Sequence, residues 1–248
     1  MIHLFIYTTS LCDDDFQKVV KKLRSVDREL SFAEKFMKIA LIGASGFVGS
    51  RILAEALARH HQVTALVLHP EKIAPAANLV ALKVDVMDEA ALAAQLRGHD
   101  AVICAFSGHA QADIHGYYVK GVKAIIAATK QAGVPRLLVV GGAASLEVAP
   151  GKLLLDTPEF PEQWKATAQG AYDALKLLRQ ENTLDWTMLS PAAIIEPGTR
   201  TGKFRLGTDT LLTDDKGESR LSLEDYAVAM VDELEKPAHS RKRFHAAY

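Results

Sequence analysis

The chain has only two cysteines, Cys12 and Cys104, in 248 residues. Two thiols cannot build a disulfide framework, and neither stands in the paired spacing of a zinc site, so a reducing, cytoplasmic setting is expected. Cys104 lies inside the apolar run Ala101-Val-Ile-Cys-Ala-Phe106, where a thiol behaves as a small hydrophobe. His60-His61, His109 and His115 lack the further ligands a metal ion needs, and no metal is expected. Long apolar runs are missing too: none nears the roughly 20 residues of a membrane span. Met1-Ile-His-Leu-Phe-Ile-Tyr7 is short, has no cationic start and runs on to Asp13-Asp-Asp15, which argues against a signal peptide. Charge of one sign is also absent, since 29 Lys and Arg against 30 Asp and Glu leave a net −1. Nucleic acid and anionic membrane are therefore not expected partners, and the triplet Arg241-Lys-Arg243 reads as a solvated strand start.

With 49% hydrophobic and 24% charged residues, the chain can bury one full core. Residues 1–36 read as a separate N-terminal extension. Phe16, Val19, Val20, Leu23, Val26 and Leu30 recur at helical spacing there, which predicts a helix over about 13–36. From residue 37 onward strands and helices alternate. Apolar strands are expected at 38–43, 63–68, 79–85, 100–106, 136–141, 185–190 and 241–248. Helices are expected at 50–59, 88–97, 113–132 and 162–181, with another capped by Ser222 and carrying Asp225 three residues on. Val/Leu/Ile-rich strands alternating with helices predict an α/β fold, a doubly wound parallel sheet covered on both faces. The connection 143–161 is long for a structureless loop, and such loops often serve as lids or binding surfaces. Residues 198–217 are turn-rich, and there is no internal repeat.

The first strand, Lys38-Ile-Ala-Leu-Ile-Gly43, passes straight into Gly43-Ala-Ser-Gly46-Phe-Val-Gly49 and then into an amphipathic run. One glycine permits a tight turn, a second lets the backbone approach a pyrophosphate, and a third lets helix and strand pack closely. The anion would sit on the free N–H groups of the helix start, where the helix dipole favours negative charge. A glycine turn without a ligand is the competing reading; strand, helix and second strand within about 30 residues favour the dinucleotide. In a doubly wound sheet, ligands lie beyond the carboxyl ends of the strands. That selects the loops after Gly43, Leu68, Asp85, Phe106, Gly142 and Ser190. An acid at the end of the second strand would bind the ribose of NAD, and an arginine the phosphate of NADP. The chain has Leu68-His69-Pro70-Glu71-Lys72 there, so neither decisive residue is in place. His69 and Lys72 suit a phosphate, Glu71 suits a ribose, and a plain solvated loop is the third alternative.

Four segments carry a resemblance: Met37-Lys-Ile-Ala-Leu-Ile-Gly-Ala-Ser-Gly-Phe-Val-Gly49, Leu138-Val-Val-Gly-Gly-Ala-Ala-Ser-Leu146, Asp185-Trp-Thr-Met-Leu-Ser-Pro191 and Leu221-Ser-Leu-Glu-Asp-Tyr-Ala227. The chain resembles the atypical and extended short-chain dehydrogenase/reductase group, in its small NAD(P)H-binding flavin-reductase-like and NmrA-like branch. The resemblance spans residues 37–248. It implies one Rossmann-like domain with a small C-terminal substrate-covering region, and Met37 as the biological start. Residues 1–36 would then be an appendage foreign to the native protein, or else a regulatory or dimerising arm. The implied cofactor is NADP(H) or NAD(H), in a monomer or small homo-oligomer. Its implied contacts are Gly43, Ser45, Gly46, Phe47, Val48 and Gly49 at the phosphates, and Leu68, His69 and Lys72 at the ribose. Asp85 and Val86 would meet the adenine. Ala105, Phe106 and Ser107 would lie along the path to the nicotinamide, with Gly142, Ala143 and Pro191 beside it. Many relatives have arginine where Leu68 stands, and this departure leaves the NADP preference open.

The resemblance also places Ser145 roughly where a serine orients a carbonyl substrate, making it a candidate catalytic residue or an ordinary loop serine. Tyr172-x-x-x-Lys176 has the spacing of the acid and amine of short-chain dehydrogenases. Counted from Pro161, however, Tyr172 lies about 15 Å down its helix, on the apolar stripe Trp164, Ala168, Tyr172 and Leu175, and packing is the preferred reading. The expected function is an NAD(P)H-dependent reductase handing hydride to a flavin- or quinone-like acceptor, flavin being a substrate rather than a resident group. Phe106, Trp164 and the 143–161 loop would supply apolar walls, with plain packing the equal alternative for each. The alternative is a non-catalytic NAD(P)-binding redox sensor of the NmrA type.

Overall fold

The computed structural model describes residues 36–108 and 111–248, and Phe36–Tyr248 forms one compact unit. The helix expected over 13–36 lies outside the described residues. The strands are β1 (Lys38–Ile42), β2 (Gln62–Val67), β3 (Leu79–Lys83), β4 (Ala101–Cys104), β5 (Arg136–Val140), β6 (Glu147–Ala149), β7 (Lys152–Leu153), β8 (Asp185–Ser190), β9 (Ile194–Glu196), β10 (Arg205–Gly207), β11 (Arg220–Ser222) and β12 (Lys242–Ala247). The helices are α1 (Gly49–Ala58), α2 (Glu89–Leu96), α3 (Ile114–Ala132), α4 (Lys165–Gln180) and α5 (Leu223–Glu235).

Eight strands form the main sheet in the order β10-β12-β8-β5-β4-β1-β2-β3. All neighbours are parallel except β10 and β12. Strand order reverses between β1 and β4, which pair from Ile39↔Ala101 to Ile42↔Cys104. This is the switch point at which a doubly wound sheet opens a crevice. One face buries Ile39, Leu41, Leu138 and Phe244 beneath α1 and α5; the other buries Ile42, Val102, Leu137 and Trp186 beneath α2, α3 and α4. Residues alternate in direction along a strand, so covering both faces requires the continuous apolar runs this sequence has. Each large side chain so buried contributes roughly 1.5–3 kcal/mol.

Local chemistry explains the element ends. The Asp88 and Asp113 side chains accept from Ala91 N–H (3.0 Å) and Gly116 N–H (2.8 Å), capping α2 and α3. Gly133, with φ of 73°, ends α3 in a left-handed turn. The 143–161 connection is more ordered than a loop: it carries the antiparallel pair β6–β7 and a short 3₁₀ turn at Leu154–Asp156. The helix expected from residue 162 starts as a 3₁₀ turn, Glu162–Trp164, before α4 proper.

The C-terminal segment is tied back by a buried carboxylate. Asp225, 0% exposed, accepts from Thr201 N–H (2.8 Å), Thr201 O–H (2.5 Å), Gly202 N–H (2.7 Å) and Tyr248 O–H (2.8 Å). Burial by itself would raise its pKa. The bonds from Thr201, Gly202 and Tyr248 outweigh that and hold it below its ordinary value of 3.8.

Replacing this group tests the tie. Asp225→Ala removes the shared acceptor of four donors, which solvent can partly satisfy, and should cost about 1–3 kcal/mol, read as a lower denaturation midpoint. Because the folded pKa is depressed, the stabilisation is full above pH 4 or so and is lost as pH falls through the folded value. Acid titration of stability should therefore be flatter in Asp225→Asn than in the native chain; equal slopes would show that Asp225 is not a linked group.

Candidate cofactor site

The turn after β1 is shaped by two backbone approaches. Gly43 has φ of +78°, and a Cβ there would lie 2.4 Å from the Ala105 carbonyl oxygen at the end of β4. A Cβ on Gly49 would lie 2.1 Å from the Gly43 carbonyl oxygen. Gly46 differs: its Cβ would meet only the Gly43 oxygen, at 3.2 Å, with open space beyond. Gly43 and Gly49 therefore serve packing, and Gly46 keeps room outside the loop. Val48 caps α1 without a side-chain bond, and the first turn carries no acid. The Ser45, Phe47 and Val48 amides donate to no described residue. Such a helix start is suited to an anion.

A cavity of about 280 Å³ opens from this loop across the switch point. It is lined by Gly43, Ser45 and Gly46, by Leu68, His69 and Lys72 after β2, and by Asp85 and Val86 after β3. Ala105, Phe106 and Ser107 after β4 complete this wall. The other expected contacts, Phe47, Val48, Gly49, Gly142, Ala143, Pro191 and Ser145, lie outside the lining. Pockets that enclose drug-sized ligands run about 300–1,000 Å³, so this volume matches part of a dinucleotide rather than all of it. Its residues are those expected at the adenosine and phosphate end.

Gln111 and Tyr117 also line the cavity and were not expected. A signal for them existed. A helix after β4 must begin at the carboxyl edge, and the Asp113 cap puts Tyr117 in its first turns. Burial, and after it the charge of Asp85, pushes the Tyr117 phenol up. Asp85 spends one oxygen on Met87 N–H at 2.9 Å. His69 Nδ1 stands 3.0 Å from the Glu71 carboxylate, both well exposed. Lys72 makes no ion pair with a described residue.

Two expectations need correction and a third is refined. The Phe106 ring lines the cavity but is packed as well. It stacks on Tyr118 at 5.9 Å, leans on Tyr117 at 5.5 Å and fills the space above Gly121, where a Cβ would meet it at 2.3 Å. Arg243 is not part of a solvated strand start. It is 6% exposed, because β12 lies between β8 and β10 and turns alternate residues inward; Asp209 supplies the countercharge to its Nε at 2.8 Å. Burial lowers its pKa and Asp209 opposes that. The depth argument against Tyr172 also fails. The Ala171 methyl lies 3.1 Å from where a Gly142 Cβ would be, so this part of α4 is level with the carboxyl edge of β5 and the helix starts beyond the sheet.

Tyr172 nonetheless lies outside the cavity lining, half-buried. The Lys176 ammonium sits 4.7 Å from its ring centre and pairs with Asp173 at 2.5 Å. Of the stripe to which Tyr172 was assigned, Ala168 and Leu175 are buried but Trp164 is 50% exposed. Ser145 is buried, and its hydroxyl accepts from Arg243 Nη1 at 3.2 Å. Cys104 is buried and its thiol is pushed up to about 11 by burial, which leaves it inert.

The glycines separate packing from binding. Gly46→Val should leave the melting temperature nearly unchanged and abolish dinucleotide binding in calorimetric titration. Gly49→Ala should instead lower the melting temperature, since its Cβ meets backbone. Unchanged affinity in the Gly46 variant would remove the phosphate-loop assignment.

Comparison with known proteins agrees with this geometry. YwnB of Bacillus subtilis, an uncharacterized protein, is 44% identical over 211 residues, covering 84% of this chain and 97% of its own. The solved structure of a candidate epimerase from Bacteroides thetaiotaomicron is 46% identical, with a TM-score of 0.81 over 86% of this chain and 98% of that one. A candidate NADH-flavin reductase from Streptococcus pneumoniae is 38% identical, with a TM-score of 0.74 over 85% of this chain and 99% of that one. Residues 43–237 match the family model described as NAD(P)H-binding. A glycine turn with an uncapped helix start, at the switch point of a doubly wound sheet, is what such a nucleotide requires, and the chain belongs to the NAD(P)H-binding family.

Proposed function

We propose that the protein is an NAD(P)H-dependent reductase that passes hydride to a flavin- or quinone-like acceptor. The observation that carries this reading is the extent of the cavity. It is lined by the residues expected at the adenosine and phosphate end and stops short of Gly142, Ala143 and Pro191, where the nicotinamide would lie. On this reading Gly43, Ser45 and Gly46 cradle the pyrophosphate, Asp85 and Val86 meet the adenine, and the nicotinamide face stays open to a second ring. The bound nucleotide supplies the hydride; the chain supplies position. Carbonyl reduction would need a proton donor at that face. Tyr172 carries the Lys176 ammonium over its ring, and the Ser145 hydroxyl accepts from Arg243. Acceptors that take their proton from water need no such donor. The Streptococcus pneumoniae relative supports the same reading.

NADPH is the favoured nucleotide. Lys72 lines the ribose end, its only carboxylate neighbour among the described residues the exposed Glu71, which is hydrogen-bonded to His69 and lies outside the lining. A cation lining that end matches the extra phosphate of NADP.

Stopped-flow absorbance at the nicotinamide band should show NADPH oxidised by FMN, lumiflavin or menadione. Cofactor that binds yet stays reduced with every acceptor would support the sensor reading instead. Lys72→Glu should weaken NADPH binding about tenfold or more while changing NADH binding less than about threefold. The NADPH loss should shrink at high salt. Equal losses for both nucleotides would sink the preference.

A further inference from the structure

We infer that Arg243 positions the nicotinamide for hydride transfer, its guanidinium fixing the gap between the turn after β5 and the end of β8. This rests on the reductase reading and deepens it by naming the side chain that aligns the reacting ring. β12 lies between β8 and β10, and its Arg243 is buried. A guanidinium carries its donors in one rigid plane. Nε and Nη2 both donate to Asp209, Nε at 2.8 Å. Nη1 donates to the Ser145 hydroxyl at 3.2 Å and to the Ser190 hydroxyl at 3.5 Å. The Ser145 carbonyl accepts from Nη1 at 3.5 Å and from Nη2 at 3.4 Å. One planar group on β12 thus joins the turn after β5, the end of β8 and the segment after β10.

These attachments fall beside the expected nicotinamide contacts. Ser145 is two residues past Ala143, and Ser190 directly precedes Pro191. β5 and β8 stay hydrogen-bonded as far as the Gly141 amide, which donates to the Leu189 carbonyl at 2.8 Å. Beyond it no backbone hydrogen bond among the described residues joins 142–146 to 190–193. Strands that part at the carboxyl edge leave an opening in which a ligand can lie. Arg243 is paired with Met188, two residues before the edge residue Ser190, so it bridges the base of that opening. The turn itself is rigid. The Ala143 carbonyl accepts from Leu146 N–H at 2.9 Å, Ala144 from Leu155 N–H at 2.8 Å and Leu146 from Leu154 N–H at 2.8 Å. A shift of Ser145 is therefore passed on to Ala143 rather than absorbed.

Bracing alone does not call for a charge here. Burying an ion pair costs desolvation, and apolar residues of similar volume often hold a fold as well or better. A guanidinium adds fixed directions to several oxygens at once. Asp209 is held in turn by Arg179 of α4 at 3.0 Å, which anchors the far end of the clamp.

In the reaction, NADPH gives one C4 hydrogen with its electron pair to N5 of an oxidised flavin. Water supplies the proton at N1, and NADP⁺ and dihydroflavin leave. Arg243 touches neither reactant. It acts through Ser145 and Ser190, by holding the ring so that one of its two faces meets the acceptor. A misplacement of about 1 Å at such a point can cost 10²-fold in rate.

The test uses the full-length protein with NADPH and lumiflavin. Arg243→Met removes the clamp without stranding a buried anion, because Asp209 is half-exposed and keeps Arg179. Arg243→Lys keeps the charge but has a single nitrogen, which cannot bridge the same oxygens. Calorimetric NADPH affinity should stay within about threefold of native, since the adenosine end is untouched, while the stopped-flow hydride-transfer rate falls about 10- to 100-fold in Arg243→Met. Arg243→Lys should recover part of that rate. Stereochemistry separates alignment from stability. With [4R-²H]- and [4S-²H]NADPH, the native protein should remove deuterium from one epimer, and Arg243→Met from both, read by mass spectrometry of NADP⁺. A lower melting temperature with unchanged rate and stereospecificity would make Arg243 a brace only, overturning the inference and leaving the reductase standing. Should Arg243→Met fail to fold, Ser145→Ala/Ser190→Ala carries the same test: loss of stereospecificity is expected, and its retention overturns the role. Failure of the native protein to oxidise NADPH with any acceptor overturns the reductase reading itself.

Discussion

The contact between the glycine turn and the strand beside it is the constraint on which the site depends. At Gly43 the backbone is so close to the Ala105 carbonyl that a Cβ would stand 2.4 Å from it. Any side chain would force β1 and β4 apart where the strand order reverses. Gly49 repeats the constraint one step later, against the Gly43 carbonyl, and thereby sets how α1 leaves the sheet. The free amides of the turn are consequently aimed by backbone packing. A helix start that no described residue caps is suited to an anion without a charged side chain.

The other half of the molecule depends on buried charge that is paired. Asp225 gathers residues 201–202 and Tyr248. Glu55, 7% exposed, takes Arg59 and Arg200, which joins α1 to the segment after β9. Arg136 and Glu233 meet at 2.8 Å below the sheet, both nearly buried. Breaking any such pair leaves an uncompensated charge in a low-dielectric interior, which is why these contacts hold the C-terminal segment in place. They also bring Ser145, Asp209 and Arg243 together from distant parts of the chain, a cluster created by β12 entering beside β8.

Much of the architecture was legible because its signals are local. Lys38 to Ile42 is apolar without a break, Asp113 caps a helix, Gly133 ends it, and Ser222 accepts from Asp225 N–H at 3.0 Å. Each needs only neighbouring residues, so each can be read from a window. The residues misread lack that property. Arg243 looks solvated until Asp209 arrives across β10 and β12. Tyr172 looked too deep because Pro161 marks where the chain turns toward the helix, whereas the sheet edge is marked by Ala171.

The sequence by itself determined the alternation of strands and helices, the glycine turn and the nucleotide class that turn accepts. These follow from periodicity, capping and the absence of Cβ atoms, which act over a few residues. The tertiary structure decided how far the cavity reaches from the glycine turn, that Gln111 and Tyr117 join the wall, and that Ser145 faces Arg243 rather than open space. It also decided how far α4 overhangs the sheet. Those outcomes depend on where elements far apart in the chain come to rest against one another, and that is set by packing of whole layers rather than by any local pattern.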